Sequence, residues 1–122
     1  MTPDQIDLAR RLVACPRWRW VPGKRWVQVR AAPLDTIIGR IQDRRPRDGM
    51  DVPNGAVPDL TDPATAGCLL AMLVAVDPGA GWGVSCGPDV GWRATSCAHD
   101  LSGATCGEAL ARALLVVWEA AP

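Results

Sequence analysis

Two stretches of the chain place apolar residues on one face of a helix behind a clear start signal. Thr2–Gln5 forms a capping box with proline at the first helical position, and the apolar face continues until Pro16, which predicts a helix over Pro3–Ala14. Thr105–Glu108 forms a second capping box before another apolar stripe, which predicts a helix to about Ala120. Each of these helices has one face for a core and one face for solvent.

A third helical stretch is apolar on every side. It starts at Pro63 after a Thr-Asp cap, carries no charge up to Val76 and stops before Pro78-Gly79. A helix of this kind is expected to be buried on most sides, either centrally or in part at a subunit interface. Leu115 and Val116 add apolar surface beside the stripe of the last helix, so we expect a homo-oligomer.

The segments between the helices have the composition of strands. The first, Cys15–Arg30, predicts a hairpin around Val21–Lys24, and Thr36–Ile38 is suited to a third strand. Residues 81–96 predict a second hairpin around Gly87–Val90. The order of elements predicts an α+β fold in which a small antiparallel sheet, made of two hairpins plus one strand, packs against two or three helices.

The length of 122 residues suits a single domain spanning residues 1–122 with one core. One segment, Arg44–Leu60, lacks periodicity and is rich in proline, glycine and aspartate. We expect it to be a long loop, and loops of that length are usually functional or mobile.

Charge is distributed unevenly although the net charge is zero. Residues 1–47 contain eleven basic and four acidic side chains, whereas residues 48–122 contain two basic and nine acidic ones. This asymmetry favours either an anionic partner for the basic half or head-to-tail association of two copies, unless the halves interleave in space and cancel.

The five cysteines are an odd number without a Cys-x-x-Cys pair, which favours a reduced protein. The first 25 residues carry Asp4, Asp7, Arg10 and Arg11 in place of an apolar signal core. Pro63–Val76, the longest uncharged run, is shorter than the roughly 20 residues of a membrane span. We therefore expect a soluble cytoplasmic protein with no membrane partner.

The predicted first hairpin concentrates the candidate chemistry. Strand alternation around its loop puts Trp18, Trp20, Val27 and Val29 on a core face. The opposite face then carries the candidate ligand-binding residues Arg17, Arg19, Lys24, Trp26, Gln28 and Arg30. An indole can stack on a base, worth about 1–3 kcal/mol, while the flanking guanidiniums donate to phosphate. The alternative is that Trp26 only packs under Arg19 as a cation–π pair.

Other chemistries have weaker signals. Cys86, Cys97, His99 and Cys106 are of metal-ligand type, but structural zinc sites use paired short spacings that the sequence lacks, so we predict no metal and no cofactor. A Cys–His nucleophile, or a small hydrolase using His99 and Asp100, has no supporting local motif. We predict no catalytic residues.

Three blocks, Met1–Gly23, Val57–Leu73 and Gly107–Ala120, resemble a family of small phage and prophage accessory proteins of uncharacterised function. The blocks cover about half of the chain and consist mostly of helix caps and core positions. The resemblance implies a phage accessory gene, a class that often encodes inhibitors of host defence, acting in the cytoplasm of the host cell.

Together these features predict a non-enzymatic phage counter-defence protein that binds an anionic ligand, either a nucleotide signal or nucleic acid, on the basic hairpin face. The alternative is an inhibitor that docks directly on a host defence protein through the same surface, since Trp and Arg also dominate protein interfaces. Phosphate contacts weaken steeply with salt and a Trp-centred protein interface does so less, which separates the two hypotheses.

Overall fold

The computed structural model describes residues 1–21, 24–29, 36–40, 55–89 and 91–120, and it confirms the predicted α+β class. The elements in chain order are α1 (Pro3–Ala14), β1 (Arg25–Val29), β2 (Thr36–Arg40), β3 (Val57–Pro58), α2 (Pro63–Val76), a short 3-10 turn (Pro78–Ala80), β4 (Gly83–Gly87), β5 (Gly91–Thr95), β6 (Asp100–Gly103) and α3 (Cys106–Ala120). The strands form two three-stranded antiparallel sheets instead of one, in the orders β2–β1–β3 and β4–β5–β6.

The helices begin where their capping residues predicted. In α1 the Gln5 N–H donates to Thr2 Oγ1 at 3.2 Å, and Thr2 N–H donates to Gln5 Oε1 at 2.9 Å, so both halves of the capping box form. Asp62 caps α2 by accepting the Thr65 N–H at 2.9 Å. Among the described helices, none combines the length and the apolar character needed to cross a membrane.

Helix α3 forms the centre of the core. Its buried face includes Leu110, Leu114 and Trp118, and it packs against α1, α2 and the β4–β6 sheet. Thr105 fixes its start by accepting the Glu108 N–H at 3.1 Å and donating its hydroxyl to the Leu60 carbonyl at 2.7 Å. Leu115 also lies in this core and is therefore not part of a surplus apolar surface within the chain.

Helix α2 is buried on one side. Leu69 and Leu73 are fully buried against α3, whereas Val74 and Val76 are 45% and 44% exposed. Within the described part of the chain, the predicted burial on most sides is therefore not reached. Because α2 contains no charged residue, its solvent-facing side is an exposed apolar surface.

The predicted first hairpin is wrong. Residues 17–20 form no strand, and β1 is instead the central strand of its sheet, with Trp26 opposite Gly39 in β2 and Pro58 in β3. A central strand has both edges occupied, so none remains for residues 17–20. The predicted third strand is confirmed as β2.

Part of the predicted loop Arg44–Leu60 also differs from expectation. Residues 44–54 lie outside the described residues, but Ala56, Val57 and Leu60 are buried and Val57–Pro58 is strand β3. The apolar side chains at the end of this segment explain the difference, because they fill space between α1 and α3.

The second hairpin is confirmed as β4 and β5, which pair from Gly83 opposite Thr95 to Gly87 opposite Gly91. Strand β6 was not predicted. One face of this sheet packs on α3 so closely that a Cβ at Gly103 would lie 2.6 Å from the Ala109 nitrogen. On the opposite face, Ser85, Arg93 and Ser102 lie in one row across the three strands.

Candidate functional site

The predicted ligand-binding residues begin in the segment after α1, residues 15–21, which we call the basic segment. Cys15 ends the helix by donating its N–H to the Leu12 carbonyl at 3.1 Å, and Trp18 N–H donates to the Cys15 carbonyl at 3.0 Å. The chain turns at Pro16, and the Arg17 and Arg19 side chains are exposed. The basic segment therefore presents two guanidiniums at the surface.

Lys24, which was also predicted as a ligand contact, does not lie on that surface. Its side chain is fully buried, and its Nζ lies 3.6 Å from the centre of the Trp18 ring. Nζ also donates to the Arg19 carbonyl and lies 2.9 Å from Met72 Sδ in α2. A lysine stem is apolar and the face of an indole attracts its ammonium, so this residue fastens the basic segment to the core.

Burial changes the acidity of this lysine. Removal of the ammonium from water lowers the pKa of Lys24 to about 7, while a smaller electrostatic effect of Cys68 acts in the opposite direction. A lysine with this pKa carries only part of its charge near neutral pH. Together with the burial of Lys24, this leaves Arg17 and Arg19 as the cations that the basic segment presents at the surface.

Arg19 is held in place by its own backbone neighbours. Its Nη1 donates to the Pro16 carbonyl at 3.2 Å and to the Trp18 carbonyl at 2.9 Å. Among the described residues, no acceptor contacts Nε or Nη2 of this guanidinium. One edge of the guanidinium can therefore still meet a ligand.

Trp18 and Trp20 were both predicted to face the core, but they differ in burial. Trp18 is buried as predicted, and it meets the half-buried Trp20 edge to face, with ring centres 5.3 Å apart. The indole nitrogen of Trp18 has no hydrogen-bond partner among the described residues, so its ring acts through packing and its π face.

The remaining predicted site residues lie on or beyond β1. Trp26 and Gln28 are half-buried, while Val27 between them is buried, so alternation along β1 is as predicted. Because the hairpin is absent, Trp26 does not lie opposite Arg19. Arg30 lies outside the described residues. The structure thus brings Arg17, Arg19 and Lys24 into one region, where Lys24 is buried beneath the basic segment. Trp26 lies apart from them, in the β2–β1–β3 sheet.

A groove between α2 and β4 was not predicted at all. It has a volume of about 360 Å³. Its walls are mostly apolar side chains of α2, α3 and the β4–β5 hairpin, including Leu70, Val84, Trp92 and Leu110, and Asp62 and Thr105 also line it. Cys106 also lines it, and burial raises the pKa of this thiol, with a smaller contribution from Cys86. Sequence patterns could not reveal the groove, because its residues come from separate elements.

The residues considered for other chemistries have structural partners. The Asp100 carboxylate accepts from Arg93 Nε at 2.9 Å, and the His99 ring stacks on Trp82 with centres 5.8 Å apart. The hydrolase pair is therefore engaged elsewhere. In the described ranges, no three His, Cys, Asp or Glu side chains lie close enough together to hold a metal ion.

No protein-family model matches the chain, and no curated protein and no solved structure is significantly similar to it. The resemblance to phage accessory proteins stays a prediction.

Proposed function

We propose that the chain is a non-enzymatic binding protein whose basic segment captures an anionic ligand, either a nucleotide signal or nucleic acid. The observation that supports this most directly is the exposure of Arg17 and Arg19 on a backbone that Lys24 fastens from inside. Guanidinium groups form short, charge-assisted and often paired hydrogen bonds to phosphate. Holding the segment in place before binding lowers the entropy lost when the ligand arrives.

A counter-defence role gives this binding a biological purpose. Sequestration of a nucleotide signal requires affinity and no catalysis. A site made of arginines on the basic segment, which Lys24 holds in place, suits that role. This role depends on the resemblance to phage accessory proteins, and the binding proposal does not.

Direct docking on a host defence protein is the second candidate. Trp20 supports it, because this half-buried indole lies next to Arg19 and packs on the buried Trp18. Trp and Arg anchors of this kind supply much of the binding energy of protein interfaces. Both candidates use the same surface and differ in the partner.

Calorimetric titration with cyclic and linear nucleotides and with short single strands tests the proposal. We expect Arg19→Ala and Arg17→Ala each to weaken binding by about tenfold, the loss typical of a charge-assisted hydrogen bond. Arg93→Ala is the control, because Arg93 is a half-exposed arginine that lies on the β4–β6 sheet and is paired with Asp100. Trp26→Ala tests stacking separately, and unchanged binding would remove Trp26 from the site.

Two results would contradict ligand capture. The wild-type protein could bind none of these ligands, or Arg19→Ala could bind them as tightly as wild type. Raising salt from about 50 to 200 mM separates the two candidates, since affinity for a phosphate ligand falls steeply with salt. A partner protein held through Trp20 would lose much less affinity.

A further inference from the structure

The edge strands of the two sheets are protected unequally. An exposed strand edge invites pairing with another chain, and proteins usually block it with charge, proline or a covering side chain. Of the edge strands in the described residues, β3 contains Pro58 and β6 contains Asp100. Arg112 also covers β6, because its Nη1 donates to the Ser102 carbonyl at 2.7 Å.

Among the described residues, strand β4 has none of these protections. Its sequence, Gly83-Val84-Ser85-Cys86-Gly87, contains no charge and no proline, and it pairs on one side with β5. Ser85 and Cys86 are exposed. This strand therefore presents a plain, uncharged edge beside the apolar groove.

The sequence of β4 is nearly symmetric about Ser85. Antiparallel pairing of this strand with its own copy, centred on Ser85, would place glycine opposite glycine and Val84 opposite Cys86. The two Ser85 hydroxyls would lie opposite each other, a favourable cross-strand pair. Such pairing brings no like charges together and requires no large side chain at either end.

Helix α2 supplies a second surface at the same place. Pro63, Gly67 and Leu70 line the groove beside β4, and Val74 continues this stripe one turn further along the helix. The helix carries no charge, and Val74 is 45% exposed. The unprotected strand edge and the uncovered helix stripe are thus neighbouring parts of one surface.

We propose that this surface binds a second copy of the chain, with β4 pairing antiparallel to its own copy about Ser85. The two-fold axis of such a pair is perpendicular to the sheet, so both copies keep their helices on the same side. The two sheets join into one of six strands. The α2 stripes of the two copies then face each other above the joined strands and close both grooves. This inference does not depend on the anion-binding proposal.

The first test is the mass in solution, measured by light scattering or sedimentation over a range of concentrations. We expect wild type to reach twice the chain mass at tens of micromolar. Ser85→Lys should give the mass of one chain, because the two-fold axis places the new charges opposite each other. Ser102→Lys is the matched control, since Ser102 lies in the same row beside Arg93 but on the covered edge, and it should stay dimeric.

The second test addresses the helix. Val74→Glu should also yield a monomer, whereas Val76→Glu should remain dimeric, because Val76 is equally exposed but lies on the opposite side of α2. Thermal melts of each monomeric variant show whether it is still folded. If a variant is unfolded, the cross-linking experiment decides.

That experiment uses Ser85→Cys in a Cys86→Ser background. Residues directly opposite in an antiparallel pair have Cα atoms about 4.5–5.5 Å apart, within the range of a disulfide. Mild oxidation should therefore link two chains through Cys introduced at position 85, and Ser102→Cys in the same background should not link them. A monomeric wild type, or a dimer that persists in Ser85→Lys and does not cross-link through position 85, would overturn the proposal.

Discussion

Lys24 is one of the thirteen basic residues of the chain, yet its side chain is fully buried between Trp18 and α2. The burial of Lys24 shows which properties of single site residues can be predicted from the sequence and which cannot. The exposure of Arg17 and Arg19 could be anticipated from their type and from the proline before them. The burial of Lys24 could not, because it depends on Met72 and Cys68, which lie more than forty positions along the chain.

The low pKa of Lys24 predicts how stability changes with pH. The unfolded chain binds a proton at Lys24 up to its usual pKa of 10.5, whereas the folded chain releases it above about 7. Between these values the unfolded state binds more protons, so stability rises with pH, at up to about 1.4 kcal/mol per pH unit. Urea unfolding between pH 7 and 9 measures this slope.

The control for this prediction is Lys24→Met, which keeps an unbranched apolar stem in the same space. We expect this variant to lose most of the slope and to be more stable than wild type at pH 7, because no charge has to be buried. Identical slopes in the two proteins would show that another group titrates in this range.

Helix bounds and hairpins can be predicted from nearby residues in the sequence, whereas the pairing of distant strands cannot. The bounds of α1 and α2 follow from caps and prolines within four residues, and those signals were sufficient. The β4–β5 hairpin is also local. The partners of β1 are not, since they come from residues 36–40 and 57–58, and the Pro-Gly pair after Val21 suggested a hairpin with the nearer segment. Strand β6 has only four residues and no clear alternation.

Two helical glycines predict opposite effects of the same substitution. A Cβ at Gly107 in α3 would overlap the Leu60 carbonyl and lie 2.9 Å from the Leu60 Cα, and these backbone atoms cannot rotate away. Gly107→Ala should therefore cost about 1–3 kcal/mol of unfolding free energy, despite the better helix propensity of alanine. Chemical denaturation measures the change.

Gly67→Ala in α2 is the counterpart, since nothing lies within 4 Å of its Cβ position. It should gain about 0.5–1 kcal/mol from helix propensity alone. The comparison is made at a concentration that keeps the chain monomeric. Stabilisation by both substitutions would mean that α3 lies further from Leu60 than described.

Across the fold, α1 is joined to α3 by two polar contacts, one buried and one exposed. Glu108 is 7% exposed and accepts from the Gln5 side chain at 3.1 Å, from the Ala104 N–H at 3.0 Å and from Arg112 at 2.8 Å. Arg11 and Glu119 form an exposed ion pair at 3.2 Å on the same two helices. The sequence revealed the helix faces but not these pairings, nor the groove, because each arises from elements that meet only in three dimensions.

These contacts predict unequal losses of stability. Glu108→Ala should cost about 2–4 kcal/mol, because it leaves the buried Gln5 amide and the part-buried Ala104 N–H without their acceptor. Glu119→Ala should cost less than about 1 kcal/mol, since exposed ion pairs contribute little. Urea midpoints of the two variants check the difference, and similar losses would indicate that the buried contacts are replaced by water.

The packing of α1 against α3 brings together parts of the chain that are far apart in sequence, which affects how the protein folds. Gln5 and Glu108 are separated by 103 positions, although they lie on helices that pack against each other. Contacts between residues so far apart raise the contact order, and chains with high contact order fold more slowly than helical bundles of similar size. The entropy of closing such a long loop must be overcome before the core can form. The packing of α1 against α3 is therefore expected to form late in folding and to limit the folding rate.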